Sequence, residues 1–310
     1  EQAQRGVVLT LVTDLASAYI ALRGFDRQRE IAVATAANFA ETARIFDLRF
    51  RSGIVSMSEV SQIKSQQMLA LAAIPALEQQ IAVLENLISL LLGRPSQAIP
   101  RGKAISDLVA PLIPEDLPST LLQRRPDILQ AEQNLIAANA NIGATRTLYY
   151  PNISLTGLLG SVSTVFGSFL TGPATAWQVG AGAVGPIFTA GGIRGQVRSA
   201  EAAYAQAVPV YQQTILNAFR ETNNALVGSQ KKIQELAYQQ ERVAALAEFG
   251  RLARLRFEQG MSSYFEVLVA DNERFAAELT AVRIQVDRYT QVVNVYQALG
   301  GGWVDAANAI

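Results

Sequence analysis

The sequence has no cysteine and no histidine among its 310 residues. The favoured ligands of zinc, copper and iron–sulfur centres are therefore missing, and so is the commonest general base. Carboxylates stand singly on polar helical faces, so no catalytic residue, metal ligand or cofactor is assigned. The absence of cysteine leaves the redox compartment open. Formal net charge is zero, with arginine and glutamate interspersed, which excludes a basic face for nucleic acid and a polybasic membrane anchor. No run approaches the ~18 consecutive apolar residues of a transmembrane helix, and the longest, Met68 to Leu77, is interrupted by Pro75. Aromatic residues make up 7%, and alanine, valine and leucine dominate the apolar half, a balance that favours long helices over a compact globule. Glu1 leads directly into the apolar series Val8, Leu11, Leu15, Ala18 and Leu22 without a cap, signal segment or initiator methionine, so the chain reads as a fragment whose front is cut away.

One stretch occurs twice. Arg49-Phe50-x-x-Gly53 followed by Glu59-Val60 returns as Arg256-Phe257-x-x-Gly260 followed by Glu266-Val267, a shift of 207 residues. The same shift carries Glu41 onto Glu248, Arg44 onto Arg251, and Leu92-Gly93 onto Leu299-Gly300. In each half a heptad-like segment enters the elbow and a second one leaves it. This is an αα-hairpin with glycine at the turn position that needs φ > 0. Arginine in the last turn before each elbow suits the negative end of the incoming helix.

Taken in order, the first helix is expected from about Gln4 to Phe50, with a stripe at 8, 11, 15, 18 and 22. Ser56 or Ser58 can cap the second helix, which carries Ile63, Leu69, Ile81, Leu84 and Leu87-Ile88 to a terminal Gly93. Pro75 inside it predicts a kink. From Gly93 to Pro118 prolines and glycine recur among apolar residues, which reads as a packed connector. A helix starts at Pro126, beside Asp127, and stops at Tyr149-Tyr150-Pro151. Asn152 to Val162 and Trp177 to Ile187 then alternate apolar with small or polar residues, each about as long as a membrane-barrel strand. After Gly191-Gly192 a stripe at 193, 197, 200, 204, 207, 211 and 215 opens a helix of roughly 65 residues, ~100 Å at ~1.5 Å per residue. The return helix is expected from about Ser263 to Leu299.

Two motifs have plain readings. Arg124-Arg125-Pro126-Asp127 is explained more cheaply as a helix start than as an anion site, and Gly191-Gly192 is a strand-to-helix bend without nucleotide-loop spacing. Each elbow, taken alone, is equally a simple helix turn with phenylalanine as local core.

The series Arg124-Arg125-Pro126-Asp127-Ile128, Ala131-Glu132, Leu135, Ala137-Ala138, Ile142-Gly143, Tyr150-Pro151 and Ile153-Ser154-Leu155-Thr156-Gly157 resembles the TolC-like outer-membrane efflux proteins. The resemblance is greatest to the lipoprotein branch that partners resistance-nodulation-division pumps. Pro186-Ile187-Phe188 with Gly191-Gly192, and Ala298-Leu299-Gly300-Gly301-Gly302-Trp303, extend it over nearly the whole chain. The resemblance implies a mainly α fold with a β-barrel portion: two repeated long αα coiled-coil hairpins plus a strand pair of a trimeric transmembrane β-barrel. The expected organisation is a first tunnel hairpin over 1–93, an equatorial connector over 94–125, a helix over 126–148, an outer-membrane β-hairpin over 149–191, a second tunnel hairpin over 192–300 and a tail over 301–310. Only the second strand pair of the family is present, which assigns the first pair, and any lipid-bearing cysteine, to the missing front.

The implied function is that of a passive exit duct in a Gram-negative outer membrane: a homotrimer, in contact with outer-membrane lipid, driven by an inner-membrane pump through a periplasmic adaptor (membrane fusion) protein. A soluble periplasmic adaptor or scaffold is the alternative; it would carry a lipoyl-like β domain rather than two alternating strands. An enzyme ranks third for want of a site. By resemblance Arg49, Phe50, Gly53, Arg256, Phe257 and Gly260 lie at the tip that contacts the adaptor. In the family, acidic side chains beyond the second elbow ring the periplasmic entrance. Here the corresponding line is Phe265, Val269 and Asn272, because steps of four and three keep one helical face. Val269 stands where family members often have aspartate, and Asp271 is ~200° away from it around the helix. A hydrophobic gate is expected.

Overall fold

The computed structural model describes residues 2–111, 124–162, 167 and 175–301. The end of the connector, most of the loop between the strands, and the tail with Trp303 lie outside the described residues. The elements are α1 (Gln2–Arg51), α2 (Met57–Leu91), a 3-10 turn (Ile105–Asp107), α3 (Pro126–Arg146), a second 3-10 turn (Thr147–Tyr149), β1 (Asn152–Ser161), β2 (Thr175–Val184), α4 (Gly192–Glu258) and α5 (Tyr264–Ala298). The mainly helical hairpins and the strand pair read from the sequence are both present. Contacts divide the chain into two units, residues 1–127 with 216–310, and residues 128–215.

In the first unit α1 packs against both α2 and α5. At Gly24 a Cβ would fall 2.2 Å from Cγ2 of Val286, so any larger residue there would force the Val286 side chain to move. Three apolar clusters follow the hairpins. Near the elbows Phe39, Phe46, Val60, Ile63, Tyr264, Val267 and Leu268 are buried together; next come Ile31, Ala32, Phe275 and Val282; farthest away are Ala18, Leu22, Ile88 and Ile99. Ion pairs Arg254–Asp271 (3.0 Å), Arg242–Glu273 (3.0 Å) and Lys232–Asp287 (3.0 Å) run between α4 and α5, the antiparallel order of a hairpin.

The connector lies on this unit through polar contacts. Arg101 pairs with Asp26 and with Glu85, Arg23 donates to the Lys103 carbonyl at 3.1 Å, and the Gly102 amide donates to the Tyr19 hydroxyl at 2.8 Å. Farther on, Gln285 and Tyr289 of α5 donate to the carbonyls of Ile105 and Leu108.

Some local readings change. At the start of α1, Leu9 and Thr13 are buried while Val8 and Leu11 are exposed, so the stripe holds only from Leu15 through Ala18 and Leu22. Periodicity locates a face, and the neighbour that covers it decides which residues are used. α2 continues through Pro75 as one helix, and α4 through Pro209. By length and hydropathy alone α1 and α2 could each cross a membrane, although neither has a long unbroken apolar run; alanine-rich faces with few charges raise the average. β2 ends at Val184, before Gly185-Pro186, because proline has no amide for the ladder; at Gly185 a Cβ would lie only 3.1 Å from Pro151.

In the second unit, Val197 and Ala200 of α4 are buried, and Ile193, Tyr204, Ala207, Tyr211 and Ile215 are half-buried along the same stripe. Arg146 of α3 pairs with Glu201 at 2.8 Å. β1 and β2 are antiparallel, with Asn152 opposite Val184 and Ser161 opposite Thr175.

Candidate functional site

The two elbows have the same backbone. Gly53 and Gly260 have φ of 76° and 73°. In each, the glycine amide donates three residues back, to Phe50 or Phe257, at 2.9 Å. The following amide donates five back: Ile54 to Arg49 at 2.9 Å, and Met261 to Arg256 at 2.8 Å. These paired bonds are a Schellman ending, which satisfies carbonyls that the helix end leaves open. Upstream, Arg44–Glu41 and Arg251–Glu248 form the same two-pronged contact, 2.8 and 2.7 Å in both. In each pair the contact holds the carboxyl below its ordinary value.

The side chains around the elbows differ. Ser56 and Glu59 form a reciprocal capping box, whereas Ser263 makes no side-chain cap and its Glu266 reaches Arg256 at 3.1 Å. Phe50 is exposed, as are Leu48, Ile54 and Met57 beside it. Phe257 turns inward. Its ring centroid is 6.2 Å from that of Phe46 and 5.0 Å from that of Tyr264, and Phe46 and Tyr264 are 4.6 Å apart. The Arg49 guanidinium lies over Phe46 at 5.6 Å and over Phe257 at 5.4 Å. Burial pushes the Tyr264 phenol up, with the Thr42 side chain as its polar neighbour working the other way.

On α5, Phe265 and Val269 are exposed and Asn272 is half-buried, while Tyr264, Val267, Leu268 and Ala270 are buried on the packed side. Asp271 belongs to the α4 side: it pairs with Arg254, and burial pushes its carboxyl up against the opposing pull of Arg254 and Arg274.

The strand pair is two-faced. The register puts Ile153, Leu155 and Leu159 on one side with Ala183, Ala181, Val179 and Trp177, and all five of the large residues are exposed. The other side carries Asn152, Ser154, Thr156, Gln178, Gly180 and Gly182, together with Leu158 and Val184.

The Arg124-Arg125-Pro126-Asp127 motif has a role that sequence reasoning missed. Arg125 is buried; it pairs with Asp127 at 2.6 Å and Glu221 at 2.7 Å and donates to the Ala298 carbonyl at 3.0 Å. It thus joins the start of α3, the middle of α4 and the end of α5, beside a cavity of about 610 Å³. Its second carboxylate partner lies 96 positions away, so no local pattern could reveal it. Among the described residues no group of histidine, cysteine or carboxylates could hold a metal ion.

The family model "Outer membrane efflux protein" matches residues 1–94 and 117–301. The solvent efflux pump outer membrane protein SrpC of Pseudomonas putida is 33% identical over 309 residues, covering 99% of this chain and 66% of that protein. The cation efflux system protein CusC of Escherichia coli is 32% identical over 305 residues, covering 98% and 66%. The chain thus spans 66% of the length of these curated relatives. The open-state outer membrane channel MtrE of Neisseria gonorrhoeae superposes with a TM-score of 0.85 at 26% identity, covering 97% of this chain and 68% of that one.

Proposed function

The chain belongs to the outer membrane efflux protein family, and from that premise we propose that the whole protein is the outer-membrane exit duct of a tripartite efflux system. In this reading three copies close one barrel and one periplasmic tunnel. An inner-membrane pump drives solute through them by way of a periplasmic adaptor, and the duct itself performs no chemistry. The apolar lengths of α1 and α2 then face other helices of the tunnel wall rather than lipid.

The observation that carries the reading is the β1–β2 ribbon. An isolated two-stranded ribbon is marginal in water, and this one exposes Ile153, Leu155, Leu159, Trp177 and Val179 on a single face. Lipid on that face, further strands at both edges and water against Ser154 and Thr156 suit this ribbon. A soluble adaptor would leave the apolar face uncovered.

The elbows, with Arg49, Phe50, Gly53, Arg256, Phe257 and Gly260, are the proposed adaptor contact, and Phe265, Val269 and Asn272 the proposed gate line. Names of relatives mention solvent, toluene and cations; a wide duct selects weakly among such cargoes. Purified full-length protein in planar bilayers tests the proposal. The expected result is a trimer with discrete conductance, and a monomer that conducts nothing would reject it.

A further inference from the structure

The charges of the second unit bracket the ribbon at one end only. Between Arg146 and Arg194 the sequence carries no charged side chain, so the first charge met on leaving the ribbon in either direction is an arginine. Arg146 closes α3, and Arg194 and Arg198 stand in the first two turns of α4. Both helices meet the ribbon where Asn152 pairs with Val184, and the close approach of Gly185 to Pro151 shows that the two connecting segments run side by side there. Arg146 is committed to Glu201 at 2.8 Å. Arg194 and Arg198, one helical turn apart, are exposed, stand off the Ile193–Val197–Ala200 stripe and make no ion pair among the described residues. The unit's other carboxylate, Glu132, lies roughly 20 Å back along α3 at ~1.5 Å per residue.

We propose that Arg194 and Arg198 form a headgroup site for an anionic phospholipid of the periplasmic leaflet, with Tyr149, Tyr150, Ile187 and Phe188 as the bed beneath it. The site rests on the reading of the ribbon as a barrel segment; its choice of lipid charge is additional. The apolar ribbon face starts at Ile153, and the four bed residues, all exposed, continue it into the two connecting segments. Aromatic rings suit this level, where hydrocarbon gives way to headgroups. The arginines come next along the chain, where phosphates lie. Guanidinium forks match phosphate oxygens two at a time. With no carboxylate of their own to answer them, the pair favours a lipid of net negative charge over a zwitterion, whose ammonium offsets its phosphate, and the attraction falls off within a Debye length. The far end of the ribbon offers no equivalent, because residues 162–174 carry no charge.

The full-length protein, delipidated in detergent, is offered phosphatidylglycerol and phosphatidylcholine with the same acyl chains in equal amounts, and retained lipid is counted by native mass spectrometry. Conductance in planar bilayers is recorded on the same preparation. Phosphatidylglycerol is expected to be retained severalfold over phosphatidylcholine, and the double variant Arg194→Gln/Arg198→Gln to retain the two equally. Arg220→Gln, which removes an exposed charge farther along α4, should keep the parent preference. Equal retention by the parent overturns the site, as does an unchanged preference in the double variant or the same loss in Arg220→Gln. Displacement of phosphatidylglycerol by millimolar inorganic phosphate would make this a plain phosphate site and overturns the lipid assignment. A double variant that dissociates in lipid-free detergent, where the parent holds together, would assign the arginines to a protein contact and overturns it too. A protein that conducts without any lipid preference refutes the headgroup site alone, whereas one that neither assembles nor conducts rejects the duct on which the site rests.

Discussion

At the first elbow Phe50 faces solvent, Ser56 closes a capping box with Glu59, and Arg49 leans away onto rings drawn from both hairpins. At the second, Phe257 is turned inward, Ser263 caps nothing with its side chain, and Arg256 is tied to Glu266. The backbones nevertheless match down to the Schellman bonds. A repeat therefore preserves what local stereochemistry requires, namely glycine at positive φ and amides for the last carbonyls. It does not preserve surroundings. Phe257 is half-buried because Phe46 and Tyr264 are there to receive it, and no such pair faces Phe50.

The largest test of that difference is truncation of the two phenylalanines. Phe257→Ala should cost about 2–3 kcal/mol, below the ~3–5 kcal/mol of a fully packed aromatic because its ring is half-buried, while Phe50→Ala should stay within about 0.5 kcal/mol, as exposed substitutions do. Denaturant midpoints of the full-length protein would show it, and equal losses would mean the elbows are equivalent after all. Next come the glycines, where the elbows should agree. Nothing lies within 4 Å of a Cβ built at Gly53 or Gly260, so alanine meets only backbone strain, about 1–2 kcal/mol at either. Matched melting shifts are expected; a gap between them would expose a neighbour that differs.

Capping should split the pair again, more weakly. Ser56→Ala removes a real cap and should cost about 1 kcal/mol, and Ser263→Ala should cost a few tenths at most. The smallest effect is a pH slope at the second hairpin. Burial raises the Asp271 carboxyl, so the folded state holds its proton to higher pH than the unfolded chain. The favourable contribution is then full in acid and is lost as pH rises through the folded value. Asp271→Asn mimics the protonated form, so its melting temperature relative to the parent should rise from acid to neutral pH. Cation selectivity should be unaltered by it, because Asp271 faces α4 rather than the Phe265–Val269 line.

Much of the architecture is legible from residue spacing alone. Glycines at fixed offsets mark the elbows, threes and fours mark the helices, and alternation, broken at Leu158-Leu159, marks the strands. What spacing cannot reveal depends on partners distant in the chain. The opposite fates of Phe50 and Phe257 are decided by residues on other helices. The use of Leu9 and Thr13 instead of Val8 and Leu11 follows from what covers α1. Arg125 reads in sequence as part of a helix start, because its burial depends on Glu221 and the Ala298 carbonyl. The proposed adaptor contact and gate line rest on resemblance, and the contrasts between the elbows are what put those roles to the test.

Assembly of the ribbon differs from that of the hairpins in its order in time. Among the described residues β1 and β2 pair only with each other, whereas every helix of the hairpins can close its own hydrogen bonds as it forms. The hairpins can therefore form at a rate set within a single chain. The outer edges of the ribbon are satisfied only by strands that arrive from elsewhere, and until then they invite wrong pairings. In the trimer proposed above, barrel closure is a step whose rate rises with the number of chains nearby, so dilution should delay the strands while leaving the helices on schedule.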